Sequence, residues 1–144
     1  KVDLEHELNT MRLYLDIEKV RFGDRLRVQM DVQDDARHAL VPSLLLQPLI
    51  ENSIKYAVAN RENGGEIRIN ARVFAGDLLI EVMDDGPGME TSGGSEISTS
   101  GVGLENTRGR IRELYGSRQS FTLGRAVPNG LKVDIRLPFE KEGS

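Results

Sequence analysis

The sequence predicts a two-layer α/β sandwich, a mixed and mostly antiparallel sheet of about five strands covered on one face by about three helices. Two observations carry that prediction. Several short stretches alternate apolar and polar residues with a period of two, as half-buried strands do. Between them lie segments whose apolar residues recur at three- and four-residue spacings, the pattern of amphipathic helices. A sheet that is apolar on one face only must bury that face, and the helices supply the cover.

The elements follow in chain order. Leu4, Leu8, Met11, Leu15 and Phe22 form a helical stripe that should end near Gly23. Leu26, Val28, Met30 and Val32 then alternate with Arg27, Gln29 and Asp31 as a strand. A second helix is expected over 44–60, with Leu46, Ile50, Ile54 and Ala57 as its apolar stripe. Pro48 fits its first turn, where a missing N–H costs little, so 44–47 should form a separate turn. Ile67, Ile69, Ala71 and Val73, a short AGD break, and Leu78, Ile80 and Val82 read as an antiparallel hairpin. A third helix is carried by Leu104, Thr107, Arg108, Ile111, Leu114 and Tyr115 over 103–115. Phe121 and Leu123 pair with a last strand marked by Leu131, Val133, Ile135 and Leu137.

Composition narrows the function. A chain of 144 residues suits one domain, and its net charge of −4 argues against nucleic acid or an anionic membrane as the main partner. Without cysteine there is no disulfide framework, thiolate metal site or thiol nucleophile. The longest apolar run, LVPSLLLQPLI, is far shorter than the roughly 20 residues that span a bilayer. The chain opens inside a helical pattern without a charged-then-apolar leader, which reads as a piece of a longer protein.

Three features stand out as candidate chemistry. Asn52 and Lys55, flanked by Tyr56, lie on the helix face turned away from its apolar stripe; a plain solvated face is the competing reading. Asp84 shares the parity of Leu78, Ile80 and Val82, so it points to the covered face, where a carboxylate needs a partner; a turn aspartate or helix cap is the competing reading. Asp85, of opposite parity, should face out. Gly86 and Gly88 then make a bend poor in side chains, against which a flat group can lie. Further on, Gly101 and Gly103 stand at the start of the third helix, where bare N–H groups suit phosphate oxygens or serve simply as a cap. The tract 91–101 between them is polar and glycine-rich, either a tether or a lid.

The fixed order of these signals is more specific than any one of them. LLLQPLIENSIKYAV, DDGPGM and GVGLEN resemble the asparagine box and the two glycine boxes of the GHKL superfamily of ATP-binding domains. ELNTMRLYLDIEKVRFGDRLRV and GVGLENTRGRIRELYG are similar to the LytS-type sensor histidine kinases within it. The resemblance covers nearly the whole chain and implies a Bergerat-type fold binding ATP and Mg²⁺. It implies that Asn52 coordinates the Mg²⁺, that Lys55 helps neutralise the phosphates and that Tyr56 lies near the nucleotide. Asp84 would take the adenine amino proton, with Gly86, Gly88 and Met89 beside the base. Gly101, Val102, Gly103 and Leu104 would cradle phosphate, and Arg108 is a further candidate phosphate contact.

The resemblance also divides the chain into residues 1–22, a helical segment continuing from an upstream dimerisation and phosphoacceptor region, and residues 23–144, the catalytic domain. Hydrolysing members carry a glutamate one turn before the metal asparagine; here that position is Pro48, which cannot act as a base. Transfer of the γ-phosphate to an external nucleophile fits better, since it needs mainly positioning and charge neutralisation. His6 and His38 each lie in a polar stretch and read as surface residues, so the acceptor histidine is expected outside this chain. The partners implied are that histidine region, in the same protein or its dimer mate, and a response-regulator aspartate. The parent would be a homodimer anchored in the inner membrane with this domain in the cytoplasm. A nucleotide-binding regulator without transferase activity, and an anti-sigma-type serine kinase, are the alternatives on the same fold.

Overall fold

The computed structural model describes residues 1–59, 61–86, 103–127 and 129–141. The chain enters through a two-residue strand, β1 (Val2–Asp3), and turns at once into α1 (Leu4–Phe22). Asp3 is its N-cap, accepting from the His6 backbone N–H at 2.9 Å. Gly23 closes the helix at a φ of 58°, where glycine carries no Cβ penalty. The strand β2 (Leu26–Val32), a short helix α2 (Asp34–Arg37) and β3 (Leu40–Val41) follow, and β3 pairs antiparallel with β1.

Helix α3 (Gln47–Ser53) begins one residue before Pro48, as its sequence requires. It then widens into a π-turn over Ile54–Val58, closed by the Ala59 N–H donating to the Ile54 carbonyl at 2.8 Å. The hairpin of β4 (Gly65–Phe74) and β5 (Asp77–Asp84) turns on Ala75 and Gly76, both in the left-handed region that two-residue hairpins use. Helix α4 occupies 103–115, and β6 (Ser120–Arg125) and β7 (Leu131–Pro138) complete the chain.

The main sheet has five strands in the order β2-β4-β5-β7-β6. Only β2 and β4 run parallel. Its buried face presents Leu26, Ile67, Ile69, Leu78, Ile80, Val82, Val133, Ile135 and Leu137 to one continuous core shared with α1, α3 and α4. The other face carries Arg68, Glu81, Lys132, Asp134 and Arg136, so the sandwich has two layers as the alternation implies.

Several details were not legible in the pattern. The strands β1 and β3 and the helix α2 are too short to leave a period. Leu114, counted in the third helix's stripe, is 50% exposed. Leu4, Leu8, Met11, Leu15 and Phe22 lie in the same core as the sheet, so α1 packs within the helical layer.

A buried carboxylate joins α1 to α3. Glu7, 3% exposed, accepts the backbone N–H groups of Leu44, Leu45 and Leu46 at 3.1, 2.8 and 3.3 Å. Those three donors satisfy a charge that would otherwise be costly to bury, and they hold Leu44 at a φ of 59°. From α4, Arg110 donates to the carbonyls of Ser43 and Leu44 at 2.6 and 3.4 Å. The entry to α3 is thus fixed from both neighbouring helices.

Candidate functional site

Asp84 closes β5 opposite Ile67 and shares the inward parity of Leu78, Ile80 and Val82, which leaves it 7% exposed. Its Oδ1 accepts the Gly86 N–H at 2.9 Å and the Leu131 N–H at 3.3 Å. Its Oδ2 accepts the Ser53 hydroxyl of α3 at 3.2 Å. Burial raises its pKa above the ordinary 3.8, partly offset by those three donors and reinforced by the neighbouring Asp85. A carboxylate offers about four lone-pair sites, and among the described residues Ser53 alone donates to Oδ2, which leaves acceptor capacity there.

The bend that follows is fitted to α3. A Cβ on Gly86 would stand 2.9 Å from the Ala57 Cβ and 3.0 Å from its Cα, so only glycine lets the turn lie against the helix. From the other side Asn129 donates through Nδ2 to the carbonyls of Asp85 and Gly86 at 2.8 and 3.1 Å. Gly130, at a φ of 117°, backs onto the Asp84 carbonyl, where a Cβ would collide. Asp85 points away from the core side on which Asp84 is buried, as its parity implies: its Oδ1 accepts the Glu66 N–H at 2.9 Å and pairs with Arg61 at 3.3 Å. Arg61 also donates to the Asp85 carbonyl at 2.8 Å, which ties the strand end to the segment after α3.

Asn52 precedes Ser53 on α3 and is half-buried. Tyr56 is half-buried and Lys55 exposed, with the Lys55 ammonium 5.2 Å from the Tyr56 ring centroid. Both lie in the π-turn, which adds a residue to the turn and re-aims side chains relative to Asn52. Ile50, Ile54 and Ala57 are buried, so these three residues occupy the face turned away from the core contact, as their spacing implies.

Gly103 begins α4 with its would-be Cβ 3.8 Å from the Pro48 Cβ, so the α4 start abuts the first turn of α3. Leu104 is buried in the core, and Thr107 donates to the Gly103 carbonyl at 3.0 Å. Gly88, Met89, Gly101, Val102 and the whole of the 91–101 tract lie outside the described residues. Arg108 is turned from this region toward β6: its guanidinium donates to the Phe121 carbonyl at 3.4 Å and sits 5.3 Å from the Phe121 ring. The structure therefore brings Asp84 and Gly86 against Ser53 and Ala57 at the C-terminal end of α3 and its π-turn, with Asn52 adjoining Ser53, and sets the start of α4 beside the first turn of α3.

Ser53, Asn129, Gly130 and Arg61 were not singled out by sequence. Ser53 lies inside an apolar stripe and reads as small filler, whereas Asn129-Gly130 carries an ordinary turn signal with no hint that it folds back over Asp84.

Residues 37–141 match the family of histidine kinase-, DNA gyrase B- and HSP90-like ATPases. The chain belongs to this family. Among curated relatives, the sensor histidine kinase YesM of Bacillus subtilis is 34% identical over 141 residues, covering 98% of this chain and 24% of its own length. The sensor protein LytS of Enterococcus faecalis is 31% identical, covering 98% of this chain and 25% of its own. The chain thus spans about a quarter of the length of these relatives. Among solved structures, the catalytic domain of the histidine kinase ThkA superposes with a TM-score of 0.74 at 18% identity, covering 97% of this chain and 96% of that one. The histidine kinase domain of a blue-light activated kinase from Erythrobacter litoralis gives 0.64 at 19% identity, covering 95% and 61%.

Proposed function

We propose that this ATPase-family domain binds Mg-ATP at the end of α3 and donates the γ-phosphate to a histidine of a sensor kinase of which it forms part, for relay to a response-regulator aspartate. The single observation that carries the nucleotide reading is Asp84. It is buried, it is held by three donors, and it keeps acceptor capacity on Oδ2 beside a glycine bend. Such an acceptor suits the adenine amino group and leaves the guanine carbonyl edge unmatched. Gly86 would form the floor beneath the base, with Gly88 and Met89 in the same box.

Asn52 offers a hard oxygen on the half-exposed face of α3, which fits a Mg²⁺ ligand. Among the described residues no group of three or more His, Asp or Glu could hold a metal alone, so the ion would take its other ligands from phosphate oxygens and water. When bound, it would neutralise charge on the transferring phosphate. Lys55 would add a cation on the same face with Tyr56 beside it, and Gly101, Val102, Gly103 and Leu104 would supply backbone at the α4 start.

Pro48 stands where hydrolysing relatives of this fold carry a base and adjoins the α4 start, which favours transfer over hydrolysis. We place the acceptor outside this chain, because His6 and His38 lie in polar stretches of α1 and just after α2. Among the described residues no helix is long and apolar enough to cross a membrane. An inner-membrane anchor, a homodimeric parent, and residues 1–22 as the link to an upstream acceptor region complete the proposal.

The test uses the parent protein and this chain side by side with Mg-[γ-³²P]ATP. The parent should acquire acid-labile, alkali-stable label, and this chain should bind ATP without labelling itself or hydrolysing it rapidly. Rapid hydrolysis by the chain alone, or acid-stable label on serine, would overturn the kinase reading.

A further inference from the structure

The peptide that joins Asp85 to Gly86 is held at both ends. Its N–H, on Gly86, donates to Oδ1 of Asp84 at 2.9 Å. Its carbonyl, on Asp85, accepts Nδ2 of Asn129 at 2.8 Å and the Arg61 guanidinium at 2.8 Å. Because a peptide is planar, a grip on the carbonyl also fixes the direction of the N–H opposite it. Asn129 thus acts on the buried carboxylate without touching it. Among the described residues it alone reaches the Gly86 carbonyl, at 3.1 Å.

Both contacts of this amide are carbonyl oxygens, which only accept, so its nitrogen end must face them. The hairpin between β6 and β7 sets its place. There the Ala126 N–H donates to the Gly130 carbonyl at 3.0 Å, and the Leu131 N–H reaches Oδ1 of Asp84 at 3.3 Å. Gly130, at a φ of 117°, brings this backbone closer to the Asp84 carbonyl than any Cβ allows. The hairpin therefore supplies one donor to Oδ1 directly and holds the other through Asn129. Two N–H groups on Oδ1 and the Ser53 hydroxyl on Oδ2 keep the carboxylate in one orientation.

We propose that Asn129 is a positioning residue for the nucleotide: by gripping the Asp85 and Gly86 carbonyls it sets the peptide whose N–H orients Asp84, and so preorganises the acceptor for adenine. This rests on the assignment of Asp84 to the adenine amino group. The role needs the two N–H groups of the Asn129 amide and not its shape.

The test compares Asn129→Ala and Asn129→Asp with the wild type and with Asp84→Asn. Asn129→Asp keeps the shape but turns a carboxylate toward two carbonyls, so it separates donation from packing. Asn129 is exposed, and both variants should keep the native circular dichroism. In both, the Gly86 amide should exchange with solvent at least about tenfold faster. The Asp84 carboxyl, followed by carbon NMR without nucleotide, should titrate at higher pH, because its ionised form loses a donor. Asp85, the charged group beside it, is paired with Arg61 and Arg27, which the substitutions leave in place. Calorimetry should show Mg-ATP binding about 5- to 20-fold weaker in both variants. An Asn129→Asp variant that matches the wild type would reduce the residue to packing and overturn the proposal, as would Gly86 exchange and Asp84 titration that stay unmoved. Faster Gly86 exchange with ATP affinity intact, while Asp84→Asn loses it, would overturn the positioning role and leave the nucleotide reading standing. If Asp84→Asn binds as the wild type does, the nucleotide reading falls and the positioning role falls with it.

Discussion

The Ser53 hydroxyl donates to Oδ2 of Asp84 across 3.2 Å, which joins the helix carrying Asn52 to the strand end carrying the buried carboxylate. The two halves of the proposed nucleotide site, base and metal, are therefore set relative to one another by a side-chain contact. Neighbouring backbone contacts fix the same relationship, and each can be perturbed separately.

The Gly86 bend against Ala57 is the tightest of these. Gly86→Ala puts a methyl group 2.9 Å from another, and such overpacking should cost about 1–3 kcal/mol of stability. Gly109 on α4 has open space around its would-be Cβ, so Gly109→Ala should instead stabilise by about 0.5–1 kcal/mol. Urea denaturation of the pair checks both signs. Equal effects would mean that the bend yields freely.

Glu7 is a structural carboxylate at a distance from the chemistry. Glu7→Ala leaves three backbone donors of residues 44–46 without their acceptor and frees Leu44 from its left-handed conformation, a loss of about 2–4 kcal/mol. Glu7→Gln, which keeps one oxygen, should fall between. Denaturation midpoints measure the order, and wild-type stability in the alanine variant would contradict the role given to this side chain.

How far these relationships could be read from sequence depends on their range. Asp84 was legible because strand parity alone sends it inward, and Pro48 because proline has one comfortable place in a helix. Glu7 was not, since a glutamate between Leu4 and Leu8 looks like the polar edge of a stripe until residues 44–46 are seen to fold over it. Asn129 and Gly130 became part of the site only through pairing that brings β7 alongside β5. The π-turn at Ile54–Val58 has no local signal of its own, because periodicity counts residues and not hydrogen bonds. Local rules thus gave the elements and the inward acid, whereas contacts between distant segments gave its partners.

The raised pKa of Asp84 has two consequences for pH. A carboxyl that holds its proton more tightly in the folded state makes stability fall as pH rises from its unfolded value of 3.8 through the folded one, so ionised Asp84 costs stability near neutrality. The ionised carboxylate is the stronger acceptor for the adenine amino group, so ATP affinity should weaken with acidification at a pH where ordinary carboxylates are still charged. Calorimetric titrations with Mg-ATP at stepped pH follow this directly. Affinity that stays flat down to the ordinary carboxylate range would show that Asp84 is not the titrating acceptor.

The most direct test of the account is calorimetry of this chain with Mg-ATP and Mg-GTP beside its Asp84→Asn variant. The wild type should bind Mg-ATP and discriminate against Mg-GTP, and the variant, with an amide nitrogen in place of one acceptor oxygen, should lose about 10- to 100-fold in ATP affinity while remaining folded. Indistinguishable heats for the two proteins, or no heat from either, would contradict the assignment of this buried carboxylate to adenine.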